Sequence, residues 1–273
     1  MIKEKRLPGP ASPSCPWAWV LLAGTLLSLA VAVESPQGSS VVPPFDGTAF
    51  LDPDILTAAD PTAFEGLTYS GRGPRTVFDR RVNDWVTIQA YLFDATFRDD
   101  LAFEVQVNPE FGSVAAAQAQ AERYSRRVGQ LPHALRTRVQ ALWIHRGVQP
   151  FGGGNESILI HTGQGDIYSR DGFLEEILVH EAAHTSLDEE HANAPGWRSA
   201  QQADGTFIST YARDHPRRED VAETFSAWLA VRYKADRIPA QMKRTIEQAV
   251  PNRLAYFDAQ DFNMVPVAPE EDN

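Results

Sequence analysis

The spacing of apolar positions changes along the chain, and each change marks an element. Val86, Ile88, Ala90 and Leu92 alternate with polar or larger residues, and Leu101, Phe103, Val105 and Val107 do so more cleanly. A period of two predicts a pair of strands joined around Arg98-Asp99-Asp100. The period then lengthens. Ala117, Ala121, Tyr124 and Val128 recur at helical spacing after Ser113, a capping residue, and the pattern stops at Gly129 and Pro132. Ala141 to His145 and Ser157 to His161 read as two short strands flanking Gly152-Gly153-Gly154. That glycine run suits an ordinary hairpin turn or a place where backbone must approach a neighbour closely. Behind Asp171-Gly172, which reads as a helix start, Phe173, Leu174, Ile177, Leu178, Ala182 and Leu187 make an apolar stripe. A second stripe, Ala222, Phe225 and Leu229, follows the start signals Asp214 and Pro216. One more helix is predicted at about 239–249. Strands that give way to helices predict an α+β fold.

The N-terminus has a different character. Trp17 to Val33 is almost wholly apolar, follows Lys3, Lys5 and Arg6, and ends in Ala30-Val31-Ala32, a small-x-small cleavage pattern. Residues 1–32 therefore read as a signal peptide or, left uncleaved, as an N-terminal membrane anchor. Secretion or a periplasmic location follows, and a bacterial origin fits. Residues 33–48, rich in Pro, Gly and Ser, read as a linker. Residues 49–262 are expected to form one domain, and 263–273 a disordered tail.

Cys15 is the single cysteine and precedes the apolar run. The exported chain would hold no disulfide, so its stability rests on its core, a metal, or both. Removing residues 1–32 takes three of the 25 Lys+Arg and one of the 36 Asp+Glu, leaving a formal charge of −13. That acidity argues against nucleic acid or an anionic membrane as partner.

Chemistry concentrates at His180-Glu181-Ala182-Ala183-His184. A helical turn holds about 3.6 residues, so histidines four apart project from one face and can grip the same ion, with a carboxylate beside them to act as base. A catalytic zinc usually has three protein ligands and an open fourth position. Two residues compete for the third place. His191 follows His184 by seven positions, whereas the metzincin pattern calls for six and a glycine where this chain has Leu187. Glu219 lies on the predicted second helix, and Glu223, one turn on, could accept the N–H of a ligand histidine.

The stretch Tyr211 through Glu219-Asp-Val-Ala-Glu223-Thr-Phe225, together with the His-Glu-x-x-His helix, resembles the gluzincins. Within them it looks like the anthrax lethal factor type of peptidase domain. The resemblance covers roughly residues 172–230. It implies a zincin-like fold: a small mixed sheet with an antiparallel edge strand over the active-site helix, then a mainly helical C-terminal part. Residues 157–161 are the expected edge strand. The resemblance further implies one Zn2+ held by His180, His184 and Glu219, with Glu181 as general base, Tyr211 facing the substrate oxyanion and Glu223 supporting a ligand. The expected function is a secreted zinc metallopeptidase acting on a peptide or protein by a zinc-activated water. The alternative is a catalytically silent zincin-fold protein that binds zinc or an envelope partner.

Overall fold

A computed structural model describes residues 41–48 and 54–268. The signal or anchor segment, residues 33–40 of the linker and residues 269–273 of the tail lie outside the described residues. No helix among the described residues is long and apolar enough to cross a membrane.

The architecture is mixed α+β, built on a six-stranded sheet of order β1-β2-β3-β4-β6-β5. Strands β1 (Phe64–Asp79) and β2 (Asp84–Phe97) form a long antiparallel hairpin, and β3 (Ala102–Val107) continues the meander. The turn between β2 and β3 falls at Arg98 to Leu101, where the alternation breaks. Helix α1 (Val114–Val128) then crosses over. Ser113 caps it by accepting the Ala116 N–H at 3.2 Å, and its buried face carries Ala117, Ala121, Tyr124 and Val128, as the spacing requires. After the short α2 (His133–Arg136), β4 (Ala141–His145) pairs parallel to β3.

The end of the sheet differs from expectation. Gly152–Gly154 is itself strand β5, antiparallel to β6 (Ser157–His161), and the hairpin turns at Asn155 and Glu156, both at positive φ. Strand β6 lies between β4 and β5, so residues 157–161 are interior and the antiparallel edge is the glycine strand. The physical reason is burial. All five residues of β6 are buried, with Ile158 and Ile160 in the main core and Leu159 on the opposite face, and such two-sided burial suits an interior strand.

Helices fill the rest. Asp171-Gly172 ends a helix, α3 (Thr162–Asp171), whose last turn Gly172 closes in the left-handed conformation. The motif helix α4 (Leu174–Ser186) begins directly afterwards. Its first-turn acids serve as buried anchors: Glu175 pairs with Arg127 at 2.9 Å and Glu176 accepts the Leu56 N–H at 2.8 Å. Next come α5 (Asp188–His191), α6 (Pro195–Asp204) and α7 (Thr210–Asp214). Asp214 and Pro216 thus lie between helices, and the second motif helix, α8 (Asp220–Tyr233), starts later with Glu219 as its N-cap residue. Helices α9 (Ala240–Ala249) and α10 (Pro251–Asp258) complete the chain.

Two segments assigned to linker and tail are packed where described. Phe45 bridges to Ser209, and its carbonyl accepts the Thr210 N–H at 2.9 Å. Met264 is buried, and the carbonyls of Asn263 and Val265 accept the N–H groups of Ala134 and His133. The main core lies between the inner face of the sheet and α1, α4 and α8. A smaller apolar cluster, Val77, Ala141, Trp143 and Leu159, covers the outer face under the tip of the β1–β2 hairpin.

Candidate metal centre

The packing of α4 against α8 brings the two sequence motifs together. His180 and His184 stand one turn apart with ring planes at 85°, and their Nε2 atoms approach to 3.1 Å. Glu219, at the mouth of α8, sends Oε2 to 3.1 Å from Nε2 of His184 and 3.5 Å from Nε2 of His180. Four tetrahedral ligands about 2.0–2.1 Å from zinc stand about 3.3–3.4 Å from one another. The three donor separations bracket that value, and a set of two imidazole nitrogens and a carboxylate oxygen suits zinc. The residues therefore fit one such ion. They are the one group of three or more His, Cys, Asp or Glu among the described residues whose donor atoms converge in this way.

Supporting contacts orient each ligand. His184 donates through Nδ1 to Oδ2 of Asp188 at 2.7 Å, which orients the ring with Nε2 toward the cluster. Asp188 went unrecognised in the sequence, although its i+4 spacing from His184 was there to read. Burial opposes a charge on His184, but Asp188 and Glu219 outweigh it and raise its pKa to about 10. Burial likewise opposes the Glu219 charge, while hydrogen bonds from His180, His184 and Arg218 hold that carboxyl far below its usual range. Glu223 is buried one turn further on, with Oε1 at 3.9 Å from Nδ1 of His180, the side on which a supporting carboxylate was expected.

The other oxygen of Glu219 has separate partners. Oε1 accepts the Tyr211 hydroxyl at 3.1 Å and Nε–H of Arg218 at 2.8 Å, and Arg218 also donates to the Tyr211 oxygen at 3.3 Å. Tyr211 sits on α7, whose N-cap Ser209 accepts the Ala212 N–H. The segment before the domain braces this helix, since the Tyr211 N–H donates to the Gly47 carbonyl and the Gly47 N–H to the Thr210 hydroxyl at 2.7 Å. Arg218 and the brace at Gly47 were invisible in the sequence because neither follows a helical or strand period.

His191 belongs elsewhere. It is buried in α5, with Nδ1 at 2.8 Å from the Tyr256 hydroxyl and its ring edge-on to Tyr256 and Phe262. Those contacts hold it outside the cluster, which leaves Glu219 as the third donor.

The cluster opens into a cleft of about 580 Å³ lined by His180, Glu181, His184, Tyr211, Glu219, Tyr168 and Gly153 and Gly154 of β5. Gly153 explains how sheet edge and helix come so close: a Cβ there would stand 1.9 Å from the Glu181 carbonyl oxygen. Only glycine permits that approach. Thr185 completes the seam, donating to the Ser157 and Glu181 carbonyls and accepting the Gly154 N–H at 2.9 Å. Comparison with protein-family models, with curated proteins and with solved structures found no match to this chain.

Proposed function

We propose that the protein is a zinc-dependent peptidase of zincin type, exported from the cell, that hydrolyses peptide bonds in the cleft between β5 and α4. One observation carries the reading: two imidazole nitrogens and a carboxylate oxygen meet at 3.1 to 3.5 Å beside Glu181, at the free edge of a sheet. The motif resemblance to gluzincins adds support, and so does the antiparallel edge strand lying against the motif helix, the arrangement that resemblance implies.

Zinc held by His180, His184 and Glu219 would supply Lewis acidity, polarising a carbonyl and making water a better nucleophile near neutral pH. The chain's own groups do the rest. Glu181 takes the proton from the attacking water and delivers it to the departing amine. The Tyr211 hydroxyl, held at the rim by Arg218, turns from Glu219 to donate to the oxyanion. Asp188 keeps the His184 proton on Nδ1 throughout. The unpaired side of β5 offers backbone groups to an extended substrate.

Glu181→Gln tests the reading. Zinc stoichiometry should stay at one per chain while hydrolysis of a cleaved peptide falls about 10²- to 10⁴-fold. Unchanged hydrolysis with zinc retained would overturn the mechanism, and absence of stoichiometric zinc in the purified protein would overturn the metal site.

A further inference from the structure

On the outer face of the sheet, beyond the glycine strand, three aromatic rings form a step-like array. Phe78 meets Trp85 edge-on at 5.7 Å, and Trp85 meets Trp143 edge-on at 5.4 Å. Trp143 is buried on β4, whereas Trp85, from the tip of the β1–β2 hairpin, is 48% exposed. Between these rings and β5 lies a second cavity of about 240 Å³, floored by Leu159. It shares Arg80, Gly153 and Gly154 with the cleft at the metal centre. The two cavities flank one strand, and that strand has no side chains to separate them.

We propose that this array is a specificity subsite of the cleft, receiving an apolar side chain of a peptide laid antiparallel to β5. The proposal rests on the peptidase reading and names part of its substrate class: peptides with a large aliphatic or aromatic residue next to the position that faces α4. Register supplies the argument. Gly153 pairs with Ile158, whose side chain enters the inner core, and its own absent Cβ points at α4. Gly152 pairs with Leu159, which packs on the outer face with Val77 and Trp143. A peptide added to this edge continues the alternation, so a residue directed at the metal side has neighbours directed at the rings. Trp143 and Leu159 give that destination an apolar floor, and the exposed Trp85 gives it a wall that a substrate side chain can cover. A glycan would stack on a ring face and would have no use for the open strand edge. The notch between edge-on rings beside unpaired backbone fits a peptide.

The test uses the Glu181→Gln protein loaded with zinc, which holds peptide without turnover. Fluorescein-labelled decapeptides that differ at one position, Gly, Leu or Phe, are titrated in turn, with anisotropy and tryptophan emission as readouts. Phe or Leu should be preferred over Gly by roughly 10- to 100-fold at one position. Trp85→Ala should remove most of that preference and Trp85→Phe should keep it, with zinc content and thermal midpoint unchanged. Identical preferences with and without Trp85 would overturn the subsite, as would an emission change with chitin or peptidoglycan fragments but none with peptides. The two readings fail separately. Trp85-dependent peptide preference without any cleavage by the unaltered protein leaves the subsite and removes the peptidase, whereas cleavage indifferent to Trp85 does the reverse.

Discussion

Glu219 and Asp220 are neighbours in the chain, both nearly inaccessible, and they belong to two clusters of opposite kind. Asp220 faces inward to Arg253 and accepts Nε2–H of Gln201 at 2.8 Å. Arg253 is completely buried and spends its other donors on Asp204 at 2.9 Å and on the Thr206 carbonyl. Asp204 in turn accepts the N–H groups of Asn252 and Arg253 at the start of α10. Every donor there meets an acceptor. Around Glu219, by contrast, two imidazole nitrogens and a carboxylate oxygen converge on one point, a set whose lone pairs are satisfied only by a proton or a cation held among them. A closed set of charges ties α6, α8 and α10 together. The Glu219 set, on the same helix turn, leaves its donor atoms turned toward one another and toward the cleft.

The largest expected effect comes from opening the closed cluster. Arg253→Leu strands two buried carboxylates and should cost about 3–5 kcal/mol in urea unfolding. Glu219→Gln, one residue from Asp220, should cost the metal rather than the fold, read as zinc per chain against a urea midpoint unchanged when both proteins are compared free of metal. If Arg253→Leu unfolds no more easily than the parent, the contrast between the clusters fails. A middle-sized effect lies in the support for His184. Asp188→Asn should weaken zinc binding about 10- to 100-fold, measured by competition with a chromogenic chelator, since the amide no longer holds the imidazole proton on Nδ1.

The smallest effect concerns a third buried carboxyl, at the far end of α4. Burial raises the Glu176 pKa to about 8, and one backbone N–H, that of Leu56, partly offsets it. The folded state therefore keeps a proton that the unfolded chain releases above about pH 4.5, so this group's contribution falls as pH rises from there through 8. Glu176→Gln should remove that decline, so that the difference in stability between variant and parent grows from pH 5.5 to pH 8 in paired urea titrations. His145 contributes the opposite slope. Burial lowers its pKa to about 4, so acid costs stability between about pH 6.5 and 4; the two slopes oppose each other between about pH 4.5 and 6.5, and above that the Glu176 decline stands alone.

These groups also show what a sequence discloses. His180, Glu181 and His184 were legible because a helix has one period and their spacing obeys it, and α1 and the β2–β3 pair were legible for the same reason. Strand β1 was not. Gly66, Gly71, Gly73 and Pro74 interrupt it, and most of its positions are half-buried or exposed on both faces, so no alternation survives. Helix α3, with two glycines and few apolar residues, has little periodic signal either. Strand β5 had no propensity to read, since three glycines form a strand only because Ser157 to Leu159 pair with them, and α4 leaves no room for a side chain at Gly153. His145 and His161 illustrate the same limit. They stack at 5.4 Å because β4 and β6 run parallel in register, a pairing that 16 positions of chain separation conceal. Within the metal centre, Glu219 followed from helical spacing and resemblance, whereas the Arg218 contact depends on a non-helical turn.

Gly153 sets a manufacturing tolerance for the whole cleft. Because its backbone rests directly on the Glu181 peptide, the sheet edge and the helix that carries Glu181 share one reference surface, with no side chain between them to flex. A single methyl group, Gly153→Ala, would act as a shim, lifting β5 from α4 by something like an ångström, a displacement of the size that costs a catalytic arrangement about a hundredfold. This residue is thus a gauge block, and the dimension it holds is the one from the sheet edge to Glu181.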